Sequence, residues 1–97
     1  MRAAMLHEYG PPENLRIEEV PDPEPKPHQL VVDVHACGVN FPDVLMVQDK
    51  YQFKPALPFA PGGEISGTVS AVGSEVTGWR VGDRLAAGVG TGGFAEK

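Results

Sequence analysis

LVVDVHACGV, residues 30–39, decides the fold class. Val31, Val32 and Val34 are stiff, β-branched side chains that suit a pleated surface, and the small residues after them let the segment pack closely in a core. Directly downstream, FPDVLMVQDK changes period. Pro42 is pre-set for a first helical turn, Asp43 complements the positive end of a helix dipole, and Val44, Leu45, Met46 and Val47 supply an apolar side. The pair therefore predicts a core strand followed by a short helix near residues 41–48.

Outward from this pair the chain reads as short strands punctuated by turns. MRAAMLH, residues 1–7, predicts a first strand, and LRIEEV, residues 15–20, a half-buried second one, with EYGPPEN between them as a turn. VPDPEPKPHQ places prolines at 21, 23, 25 and 27. Each fixes φ and removes a backbone donor, so the segment reads as an extended surface connection rather than an SH3-type ligand. YQFKPALPFAPGG is loop. EISGTVSAVGSEV reads as a strand pair or one bent strand, with Gly67 and Gly73 as bends. VTGWRVGDRLAAG predicts a tight turn at Gly82 and Asp83 between strand segments. A mainly β fold with one short helix follows, and a small or partly open β-barrel suits it because curling the sheet hides edges.

The length of 97 residues fits one domain with a modest core. Eight basic residues against 13 acidic ones give a net charge of −5, and the basic ones are scattered, which argues against nucleic acid as a partner. A single cysteine, Cys37, excludes an internal disulfide; with no leader pattern and no membrane-spanning apolar run, a reducing, cytoplasmic setting off the membrane is expected.

The glycine runs invite a phosphate-binding reading. GVGTGG, residues 88–93, formally has G-x-G-x-x-G spacing, but that device needs a following helix and an acidic residue further on, and Gly93 has only four residues after it. APGGEISG, residues 60–67, lacks the lysine and hydroxyl of a phosphate loop, and Glu64 would repel a phosphate. His35 and Cys37, two apart on a strand, share a face and could pinch a metal, although a cysteine packed as a small apolar residue is the simpler reading. No G-x-S-x-G elbow for a serine nucleophile is present.

GVNFPDVLMVQDKY, LPFAPGGEISGTVSAVGSEVTGWRVGDRL and GGFAEK together resemble the N-terminal domain of the medium-chain dehydrogenase/reductase superfamily, in its zinc-free, zeta-crystallin-like quinone oxidoreductase branch. The resemblance covers essentially the whole chain. It implies a GroES-like, partly open β-barrel over residues 1–97, a Rossmann coenzyme domain absent from this chain, and NADPH as hydride donor to a small quinone or enone. It also admits a homodimer through the missing domain. In zinc-dependent relatives the position of Asn40 is a cysteine and that of Gly63 a histidine, both ligands of the catalytic zinc. Asn40 and Gly63 are poor replacements, so the resemblance implies no catalytic zinc, while a structural zinc would lie beyond Lys97. Asn40 would face the substrate and nicotinamide, or simply cap the helix. Tyr51 would face the same cleft, or pack as a loop aromatic. Asp43 and Glu64 are expected to make structural hydrogen bonds to backbone or an arginine, and Gly67, Gly82 and Asp83 belong to the same motif set. Residues 1–97 alone are expected to be inactive. A GroES-like co-chaperonin and a non-catalytic binding module are the alternatives.

Overall fold

The β-branched run forms the longest but one of the strands in the computed structural model, which describes all residues from Met1 to Lys97. In chain order the elements are β1 (Arg2–Met5), a single 3-10 turn (Pro12–Asn14), β2 (Arg16–Glu19), β3 (Leu30–Cys37), α1 (Phe41–Val47), β4 (Glu64–Val72) and β5 (Arg84–Gly88). The expected strand–helix succession is therefore present, and EISGTVSAV is one strand rather than two. The proline stretch between β2 and β3 has no regular structure and is largely exposed. Backbone bonds from Gly73 N–H to Gln29 C=O and from Glu75 N–H to Pro27 C=O hold its downstream end.

β3, β4 and β5 form an antiparallel sheet with β4 in the middle, and β1 pairs with β2 in a second antiparallel sheet. Gly67 sits opposite Val34 on one side and Leu85 on the other. Residues 94–96 join the two sheets. Ala4 N–H donates to Phe94 C=O at 2.8 Å, Glu96 N–H to Arg2 C=O at 3.1 Å, and Val34 N–H to Glu96 C=O at 2.9 Å. The result is a curved series β2, β1, residues 94–96, β3, β4, β5, left open between β2 and β5. This is the GroES-like, partly open arrangement expected, with both edges remaining. β2 presents Arg16, Glu18 and Glu19 at its edge, and such charges discourage strand addition.

Two local expectations fail for physical reasons. Ile17 is 72% exposed, so β2 is not half-buried. It lies opposite Ala4, whose methyl is too small to cover it, and only Leu15 of that segment reaches the core. The turn at Gly82 and Asp83 is present, closed by Asp83 N–H to Arg80 C=O at 3.0 Å and by Arg80 N–H to Asp83 Oδ2 at 2.9 Å. No strand precedes it, because Gly78 and Gly82 both take positive φ and interrupt extension.

The core is a cluster of Leu6, Met46, Val47 and Phe59, with Tyr9, Leu15 and Tyr51 against it. Leu6 and Phe59 exchange both backbone hydrogen bonds, so the loop before the PGGE turn is clamped to the end of β1. α1 buries Asp43, Met46 and Val47, positions three or four apart that share one face.

Candidate active site

The start of α1 and the turn that enters β4 meet through one buried carboxylate. Asn40 occupies the N-cap position with extended backbone (φ −128°, ψ 165°), which lets a side chain at the third helical position turn back to it. Asp43 does this: its Oδ2 accepts from Asn40 N–H at 2.9 Å, while Asp43 N–H donates to Asn40 C=O at 3.0 Å. The other oxygen, Oδ1, accepts from Gly62 N–H at 3.1 Å. Asp43 is only 4% exposed and Gly62 is buried, so the bond between them acts without competition from water.

Gly62 has φ +102°, and a Cβ there would stand 2.7 Å from Phe94 N and 2.8 Å from Cys37 Sγ, so the turn can form only with glycine. With the turn fixed, Glu64 comes beside Asn40. Asn40 Nδ2 donates to Glu64 Oε1 at 3.0 Å, and Glu64 C=O accepts from Gly38 N–H at 3.0 Å. The Glu64 side chain lies directly over the bare α-carbon of Gly38. Asn40, Pro42, Gly63, Glu64, Gly88 and Gly90 border an open groove of about 430 Å³. Polar groups from three chain segments thus converge on a concave surface that is large enough for part of a planar ring.

The bulge in β3 separates His35 from Cys37. The register with β4 shifts between Val34 and Ala36, and the extra residue ends simple alternation. His35 is exposed in a shallow trough with Thr68 and Arg84. Cys37 Sγ points the other way, where a Cβ on Gly62 or Gly93 would come within 2.8 or 2.6 Å of it. The shared face that the two-residue spacing predicted does not exist. No three His, Cys, Asp or Glu side chains lie close enough to hold a metal ion between them.

Burial raises the Cys37 thiol above its ordinary pKa, and the Asp43 charge adds to the shift. Because the thiolate is the reactive form, iodoacetamide at pH 7.5 should modify Cys37 roughly tenfold more slowly than free cysteine, with unfolding in urea abolishing the difference. Labelling of the folded chain at the free-cysteine rate would contradict this packing.

The profile of the alcohol dehydrogenase GroES-like domain matches residues 26–97. The chain belongs to this family. Over 98 residues it is 40% identical to the quinone oxidoreductase of Mus musculus, covering 99% of this chain and 30% of that protein. The crystal structure of human synaptic vesicle membrane protein VAT-1 homolog-like protein superposes with a TM-score of 0.94 at 40% identity, over 99% of this chain and 31% of that one. That of Escherichia coli quinone oxidoreductase complexed with NADPH gives 0.92 at 32% identity, over 99% and 29%. The chain spans about 30% of the length of these relatives. The zeta-crystallin-like resemblance read from the motifs is borne out for this GroES-like domain.

Within the GroES-like domain, the residues singled out from sequence divide cleanly. Asn40, Asp43, Gly63 and Glu64 meet at the groove, with Asp43 the most buried of them. Asp43 bonds to backbone as expected, whereas Glu64 bonds to the Asn40 amide and not to an arginine. Tyr51 is half-buried against the Leu6 cluster and does not border the groove. Gly67 lies within β4, and Gly82 and Asp83 form the turn before β5, away from it. Gly88 and Gly90 border the groove without having been singled out for it. Their signal was the GVGTGG run, whose spacing points to dinucleotide binding, while in the fold Gly90 and Gly92 take positive φ and Gly93 packs against Gly62 and Cys37. No helix of the domain is long and apolar enough to cross a membrane.

Proposed function

We propose that residues 1–97 form the substrate-side domain of an NADPH-dependent, metal-independent reductase of quinones or conjugated enones, with the coenzyme domain outside these residues. The observation that carries this reading is the Asn40–Glu64 groove, which offers a neutral amide donor where a metal-dependent enzyme would offer sulfur and imidazole. Asn40 could offer zinc only a neutral amide oxygen, a poor ligand beside thiolate or imidazole, Gly63 has no side chain, and Glu64 is a single carboxylate already accepting from Asn40. The donor set does not fit a tetrahedral zinc centre.

Bound NADPH would supply hydride to such a substrate. The groove residues would do the rest by position and polarity. As hydride reaches a conjugated carbonyl, negative charge moves onto its oxygen, and the substrate's own π-system spreads it. A fixed N–H aimed at that oxygen then lowers the barrier without a Lewis acid. Asn40 Nδ2 carries one such proton beyond the one it gives to Glu64. The proton needed to complete a hydroquinone or ketone comes from solvent through the open side of the groove.

The test joins residues 1–97 to their coenzyme domain and follows NADPH oxidation with a benzoquinone. Turnover should occur in the joined protein with substoichiometric zinc by elemental analysis, and residues 1–97 alone should show none. Stoichiometric zinc that is lost on Asn40→Ala would sink the metal-independent reading, and turnover by residues 1–97 alone would refute the division of labour between domains.

A further inference from the structure

We propose that Glu64 is a positioning residue, whose carboxylate sets the orientation of the Asn40 amide so that one N–H of Nδ2 is left free for an acceptor oxygen in the groove. This rests on the reading of the groove as a carbonyl-reducing site, and it concerns a side chain with no acid–base partner there.

An asparagine side chain can rotate by half a turn about χ2 at little intrinsic cost, exchanging its donor and acceptor ends. At a site meant to stabilise developing negative charge that ambiguity is harmful, because the flipped amide would present oxygen to oxygen. A carboxylate removes it, since an ionised Glu can only accept. Glu64 Oε1 lies 3.0 Å from Asn40 Nδ2, so the flipped state would oppose two acceptors. The Glu64 carboxylate therefore favours the state in which Nδ2 faces it.

The surroundings hold the carboxylate itself. Gly38 lends its bare α-carbon as a seat for the Glu64 side chain, and a Cβ there would collide with Oε1 and lie 2.9 Å from both Cδ and Cγ. The bond from Gly38 N–H to Glu64 C=O fixes the backbone beneath that seat. Gly38 has no positive φ, so the backbone does not demand glycine at this position. The seat accounts for the missing side chain.

The first measurement uses the isotope-labelled 97-residue chain and reads the Asn40 side-chain amide by NMR. In the wild type the two Nδ2 protons should be widely separated in shift, because only one is bonded to a carboxylate. Glu64→Ala should collapse the separation to that of a free amide, and Glu64→Gln, which keeps an acceptor oxygen, should retain most of it. Gly38→Ala, which leaves both partners chemically intact but unseats the carboxylate, should behave like Glu64→Ala. An unchanged separation in Glu64→Ala overturns the proposal.

The second measurement uses the protein carrying its coenzyme domain. Glu64→Ala should lower kcat about tenfold with KM for NADPH unchanged, Glu64→Gln should recover to within about threefold, and Asn40→Ala combined with Glu64→Ala should be no worse than Asn40→Ala alone. Additive losses would overturn the coupling. Absence of any reductase turnover in the wild-type protein would instead refute the functional reading, and the amide signal would then decide the positioning claim by itself.

Discussion

Asp43→Ala should lower the unfolding free energy of the chain by about 3–5 kcal/mol, since two hydrogen bonds to a buried charged acceptor are lost together. The donors left behind are Gly62 N–H, itself buried, and Asn40 N–H at the helix start. Replacing a carboxylate by a methyl group gives neither a new partner. Asp43→Asn should fall between, because an amide offers one acceptor and turns its NH₂ toward the other donor. Urea unfolding followed by circular dichroism measures all three chains. A single domain of this size has a stability of roughly 5–10 kcal/mol, so the loss should remove about half of it and move the urea midpoint markedly lower. A loss below about 1 kcal/mol would mean that the helix start and the PGGE turn are held together by something other than this carboxylate.

The second large effect is expected at Gly67. It occupies the middle strand of the three-stranded sheet, and a Cβ there would run into the Asp33 carbonyl and stand 2.8 Å from Val32 Cγ1. The nearest obstacle is the backbone of β3, which cannot retreat without breaking its pairing with β4. Gly67→Ala should therefore cost about 3 kcal/mol, at the upper end of overpacking in a core. Gly63→Ala is the matched control, since its Cβ would meet nothing nearer than Gly90 C=O at 3.5 Å. It should change stability by less than about 0.5 kcal/mol. The comparison also bears on the groove: packing leaves room for a side chain at residue 63, so its absence there is a matter of chemistry and not of space.

What the sequence could disclose depended on how far apart the interacting residues lie along the chain. The change from a β-branched run to Pro42 and Asp43 is local, and β3 and α1 appeared where that change put them. The prolines at 21, 23, 25 and 27 are equally local in effect, and their segment is the expected extended connection. The bulge after Val34 depends on pairing with β4, some 30 residues on, and no property of His35 announces it. Ile17 misled because alternation reports which side of a strand a residue takes, not whether anything covers that side. At the groove, the family resemblance pointed to Asn40 and Gly63 through what they lack as ligands, and to Glu64 as a structural hydrogen-bonding residue. The bond from Asn40 to Glu64 spans 24 residues and required the fold. Tyr51 shows the converse, since an aromatic on a loop next to apolar neighbours suits a cleft or a core equally well, and here it reaches the Leu6 cluster.

Residues 94–96 have a kinetic meaning as well. They supply the middle rung between β1 and β3, and Arg2 bonds to Glu96 across 94 positions of sequence. During synthesis, β1 therefore cannot complete its pairing until residues 94–96 have followed. Until then β1 and β3 both carry an unsatisfied edge, and loop closure must precede the contacts that reward it. The domain should consequently fold late and as a unit, and its nascent form should be the state most exposed to association with other chains.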